Sequence, residues 1–270
     1  YLDGKLFARV QALYDRREGL GLDAEGVRLV ERYYTDFVRA GAKLSDADKA
    51  KLKDMNAQLA TLGTQFDQNV LNEVNASAVT FDSAEALAGS TDAQIAAAAA
   101  EAKKRGLDGK YVVTLLNTTG QPPLTYLGNR DARQKIFEAS AGRGSRGNEF
   151  DNTGIVSQVI KLRAERAAML GFPNHAAYSL ADATAKTPEA VNAMLGKLAP
   201  AAIANARREA ADLQAMIDKE QAAKGEPTFK LEPWDWAYYA EKVRQERYNF
   251  DEGQLKPYFE MKNVLENGVF

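Results

Sequence analysis

The residue types that could do chemistry are few. There is a single histidine, His175, and no cysteine. A catalytic zinc usually takes three histidines, two histidines and a glutamate, or two cysteines and a histidine, and none of these sets can be assembled from this chain. The same count excludes an HExxH helix, thiol nucleophiles and disulfides. His175 lies in Pro173-Asn174-His175-Ala176-Ala177-Tyr178 with no acidic residue three positions before it, so it does not form a Glu-x-x-His ligand pair. The expectation is a hydrogen-bonded structural histidine.

Gly142-Arg143-Gly144-Ser145-Arg146-Gly147 matches G-x-G-x-x-G letter for letter, and its backbone and arginines could cradle an anion. That fingerprint carries meaning between a strand and a helix. Here it follows a predicted helix and lacks a P-loop's Lys-Ser/Thr ending, so it reads as a flexible loop with no ligand. The 37 acidic residues offer many formal acid/base pairs, but basic neighbours, such as Arg207 and Arg208 beside Glu209, mark solvated helix surface. Trp234, Trp236, Tyr238 and Tyr239 could stack a ligand, and packing is the stronger reading. No catalytic, cofactor-binding or metal-ligating residue is assigned within the chain.

The elements that would position such groups are mostly helices. At 270 residues the chain can bury a large core. Its net charge of −2 gives no bulk argument for nucleic acid or an anionic membrane, and no apolar run approaches a bilayer span. Without cysteine, cytoplasm and periplasm fit equally. Helical periodicity covers residues 5–40 in two pieces, with Asp23 as an N-cap and Gly41 as a stop. Ser45 and Asp48 form a capping box that launches a helix of roughly thirty residues, ending near Asn75. Its Leu52, Met55, Leu59, Leu62, Phe66 and Val70 make a heptad-like seam, expected to be buried from Leu52 through Phe66.

Residues 77–127 break that pattern. The runs 78–81 and 111–116 read as strands, with an alanine-rich helix from Asp92 to Lys104 between them. Helices then start at Asn129 or Asp131, at Asp151, and at Thr187-Pro188, where proline takes the first helical position. Pro200 should kink or restart the last of these. The fold class is therefore all-α with a small β insertion around residues 78–116. Residues 1–270 read as one helical segment carrying an α/β insertion at 77–127.

The final forty residues hold both tryptophans and four of the eleven tyrosines, so the heaviest packing should lie there. Asp235 is placed as an N-cap, with Trp234 stapling to Tyr239. Trp236, Tyr239, Ala240, Val243 and Arg247 share a helical face. Asp251 opens a further turn with Gln254, Phe250 staples to Leu255, Pro257 stops that turn, and Gly268 is a C-cap. Both ends enter or leave apolar pattern abruptly, and the chain reads as cut from a longer one. Apolar surface around Tyr258, Phe259, Val264, Leu265 and Phe270 is then expected to stand exposed and to favour self-association.

Six blocks, in order, carry a family resemblance. They are Gly109-Lys110-Tyr111, the run 139–147, the run 185–191, the run 231–244, Leu255-Lys256-Pro257-Tyr258-Phe259 and the run 264–270. Together they resemble the thimet-oligopeptidase-like zinc metallopeptidases, most closely the bacterial dipeptidyl carboxypeptidase branch. The resemblance implies an almost wholly helical enzyme split by a deep channel that admits short, unfolded peptides. It also implies one zinc per full-length enzyme, held by an HExxH pair and a downstream glutamate that lie outside this segment. This segment would then be non-catalytic and form part of the channel half. Its partners would be peptide substrates and the catalytic half of its own polypeptide, with no nucleic acid and no membrane. The alternatives are an endo-acting oligopeptidase of the same family and a self-contained helical interaction module.

Overall fold

The computed structural model describes residues 1–116, 120–249 and 256–269, the side chains of Lys256, Pro257 and Val269 excepted. The chain divides into two compact units, residues 1–70 with 147–197 and residues 71–146 with 198–270. Among the described residues it is all-α with one two-stranded antiparallel sheet.

The first unit opens with an antiparallel helix pair, α1 (Gly4–Asp15) and α2 (Ala24–Arg39). Asp3 and Asp23 cap them, accepting from backbone N–H groups of the first turns. Phe7, Phe37 and Ala42 form the buried seam, and Tyr14 stacks on Tyr34 at 3.8 Å. Gly41, at φ +96°, turns the chain out of α2, and a Cβ there would lie 2.5 Å from a Leu52 methyl. Helix α3 (Asp46–Ala76) follows. Its Ser45 cap forms as expected: the Asp48 N–H donates to Ser45 Oγ at 3.1 Å, and the hydroxyl donates to the Asp48 carboxylate at 2.7 Å.

The α3 seam is buried only at its start. Leu52 and Met55 are enclosed, Leu59 and Leu62 are half-buried, and Phe66 is exposed. Phe66 instead lines a shallow hollow of about 310 Å³ with Val156, Val159 and Ile160 of α7 (Thr153–Met169). The α7 residues there are themselves partly open, so periodicity found the face but overstated its depth. Polar contacts join the two helices as well: Asn152 donates to the Phe66 carbonyl at 3.2 Å and accepts from Asn69 at 2.9 Å. Helix α8 (His175–Leu180) completes this unit.

In the second unit, β1 (Val79–Phe81) and β2 (Tyr111–Val113) pair antiparallel, Val79 opposite Val113. They are shorter than the runs read from sequence: Leu115 is buried beyond β2, whereas Leu116 is exposed. Between the strands lies α4 (Asp92–Lys104), closed at its start by a reciprocal Thr91–Gln94 capping box. A short α5 (Pro123–Tyr126) leads into α6 (Arg130–Ala141), capped by Asn129. Phe81, Leu87, Ala98, Leu115, Leu127 and Ile136 make the core of this part.

Helix α9 (Pro188–Lys224) runs without interruption through Pro200. Thr187 caps it, accepting from Ala190 N–H at 3.2 Å. Of the kink or restart expected at Pro200, the restart is absent, because an internal proline removes one hydrogen bond from a helix that has many others. Leu213 and Ile217 of α9 pack on Tyr239 of α10 (Trp236–Tyr248). A 3-10 turn at Lys256–Phe259 includes Pro257 rather than ending before it. After α11 (Met261–Val264), Gly268 lies inside a π turn, Leu265–Val269, and is not a C-cap. The Asp251, Gln254 and Phe250–Leu255 readings, and Phe270, lie outside the described residues. Tyr258 and Phe259 are each 70% exposed and Leu265 is exposed, while Val264 is half-buried.

Candidate functional site

The densest polar centre is built on α6. Its Asn129 cap accepts from Ala132 N–H at 3.0 Å and fixes the first turn, so Arg130 and Arg133 project from one face at i, i+3 spacing. Both reach Asp235, just ahead of α10. Arg130 Nη2 lies 2.8 Å from Oδ2 and Arg133 Nη2 lies 2.8 Å from Oδ1. The Glu232 N–H also donates to Oδ2, at 3.2 Å. Asp235 and Arg133 are fully buried. Arg133 spends its other terminal nitrogen on the Leu127 and Gly128 carbonyls, at 2.8 and 3.2 Å.

Aromatic rings enclose the charges. Arg130 lies over Phe229 at 4.1 Å and near Trp234 at 5.7 Å, and Arg133 lies over Tyr238 at 4.2 Å. Asp235 therefore sits at the N-cap position but makes no side-chain cap bond. Two guanidinium groups outcompete a backbone N–H for a buried carboxylate, because charge-assisted pairs are the stronger bonds. Trp234, expected to staple Tyr239, packs on Phe137 at 6.1 Å. Trp236 and Arg247 are exposed, while Tyr239 is buried.

This centre is not equipped for acid/base work. Asp235 has its oxygens committed and no open side, and the hydrogen bond that Arg130 donates to it pushes the Arg130 pKa up further. Burial, helped by the charge of Glu220, pushes the Tyr239 hydroxyl up to about 12, so it stays protonated at neutral pH. A buried carboxylate paired with two guanidinium groups in this way holds a turn in place.

The glycine-arginine loop joins α6 to α7, as its predicted context required, but it is not a free loop. Its anion is internal: the Glu73 carboxylate of α3, wholly buried, accepts from the Gly144 N–H and pairs with Arg146 Nε at 2.7 Å. Arg143 donates to the Leu115 carbonyl at 2.7 Å, and Gly147 N–H to Asp151 at 2.7 Å. A buried carboxylate needs such partners, and the loop supplies them. Glu209, on exposed surface, accepts from Asn205 at 2.6 Å.

His175 is the first residue of α8. Its Nε2 is 3.4 Å from Ser179 Oγ, while Nδ1 is buried without a partner. The expected hydrogen bonding is thus met on one ring nitrogen. Burial, then the charges of Arg163 and Arg166, push its pKa below the usual histidine range. Among the described residues, no group of three or more His, Asp or Glu could hold a metal. A lone histidine beside arginines does not fit a zinc site, and no step through a metal is derived from these residues.

The pattern of peptidase family M3 matches residues 123–270, the stretch that contains Arg130, Arg133, His175 and Asp235. The chain belongs to peptidase family M3. Its relatives include dipeptidyl carboxypeptidase of Escherichia coli, 47% identical over the whole chain, and that of Salmonella typhimurium, 42% identical. Oligopeptidase A of Escherichia coli is 32% identical over 96% of the chain. The chain spans 39% of the length of both dipeptidyl carboxypeptidases and 38% of that of oligopeptidase A.

Proposed function

We propose that this chain is a non-catalytic part of a zinc-dependent dipeptidyl carboxypeptidase, which removes dipeptides from the free C-termini of short peptides. The observation that carries the reading is the difference in identity, 47% to a dipeptidyl carboxypeptidase against 32% to an oligopeptidase A, each over nearly the same stretch. In this reading the segment helps to form the channel half of the enzyme. The zinc, its ligands and the general base belong to another part of the polypeptide, which is this segment's principal partner.

The helical units supply walls and fixed turns, consistent with a positioning role. The fully paired Asp235 centre supports that role, since it holds the entry to α10 without offering a proton. The test uses the longer polypeptide on matched peptides with free and amidated C-termini. Release of C-terminal dipeptides from the free acid, with the amide resistant, is the expected result. Internal cleavage of both peptides would replace this reading with the endo-acting alternative, which the oligopeptidase A similarity supports.

A further inference from the structure

Three basic side chains, Arg39, Arg166 and His175, lie against the Tyr178 ring of α8 in the first unit. The Arg39 guanidinium, from the last turn of α2, lies 4.8 Å from the ring centroid. That of Arg166, from α7, lies at 5.5 Å. The His175 ring is 6.1 Å away, and Arg163, three residues before Arg166 on α7, acts on His175 through its charge.

These groups have unused donors. Arg39 Nη1, Arg166 Nε and His175 Nδ1 are each buried with no hydrogen-bond partner. Arg166 Nη1 donates to Asn56 at 3.1 Å, a neutral acceptor. Among the described residues, no carboxylate pairs with Arg39, Arg163 or Arg166. Two acids nearby in sequence are engaged elsewhere: Arg32 holds Asp36 at 3.1 Å and Asp182 at 2.9 Å. Stacking on tyrosine satisfies the face of a guanidinium but not its N–H donors, which lie in the plane. Buried donors left unmade are costly, and two cationic guanidinium groups with open nitrogens beside an open ring nitrogen favour an acceptor that is itself negative.

We propose that this cluster binds a small oxyanion, a carboxylate or a phosphate, through Arg39, Arg166 and the ring N–H of His175. The guanidinium fork matches both chemistries, and Arg163 adds charge at the solvent edge. This assignment stands apart from the peptidase reading.

The chain's only histidine makes the test direct, because its imidazole resonances need no assignment. They are followed by NMR while inorganic phosphate, acetate or chloride is added at matched ionic strength. Saturable movement with phosphate identifies a phosphate site, with acetate a carboxylate site, and with both a general oxyanion site. Arg39→Gln and Arg166→Gln, each checked for native helix content by circular dichroism, should weaken half-saturation by about tenfold or more. Arg166→Lys, which keeps the charge, should weaken it less. A response equal to that of chloride, or unchanged half-saturation in both glutamine variants, would overturn the proposal.

Discussion

The arginines of α6 and the arginines around Tyr178 lie against aromatic rings alike, yet they differ in one component. On α6, one buried aspartate accepts from both guanidinium groups, and backbone carbonyls accept from Arg130 Nη2 and Arg133 Nη1, while Arg133 Nε has no partner. Around Tyr178, three side-chain nitrogens stay without a partner, and among the described residues no carboxylate pairs with Arg39, Arg163 or Arg166. The first arrangement contains its own anion and the second does not. Basic residues on an aromatic floor therefore do not reveal a binding site until the acids are counted.

The comparison is broken most directly at its keystone. Asp235→Ala should cost about 3–5 kcal/mol, because it strands two cations, one of them fully buried. Urea denaturation measures this, and a loss below about 1 kcal/mol would make the centre a surface pair in all but position. The graded burial of α3 gives the next effect. Leu52→Ala should cost about 2–5 kcal/mol, and Phe66→Ala, at an exposed site, clearly less. Equal midpoint shifts for the two would contradict the shallow end of that seam.

Around Tyr178 the sign is expected to change. Arg39→Gln and Arg166→Gln should alter stability little, within about 0.5–1 kcal/mol, because each relieves like-charge crowding while losing a stacking contact. A cost as large as that of Asp235→Ala would erase the distinction between the clusters. The smallest effect concerns pH. Because the folded His175 pKa is depressed, the unfolded chain binds the proton more readily. Stability should then fall as pH drops through the ordinary histidine range, about 6.5, and His175→Gln should flatten that slope. A slope unchanged by the substitution would remove His175 as its source.

Much of the scaffold was legible in sequence. Ser45, Asn129 and Thr187 announce helix starts because a cap is a contact within three residues. Helix α4 and the β insertion follow from composition. Local pattern failed where the deciding contact is remote. Asp235 looks like a cap in its own turn, and only the fold brings Arg130 and Arg133 to it across about a hundred residues. The glycine-arginine loop looks like a phosphate cradle, and only the fold places Glu73 inside it. The unused donors around Tyr178 come from three helices, so no spacing in the sequence could assemble them.

Metal and activity analysis of the purified 270-residue chain, stripped with chelator and reloaded with zinc, tests the central reading most directly. The account predicts no stoichiometric zinc and no release of dipeptides from short peptides. One tightly held zinc per chain, together with peptidase activity, would contradict it.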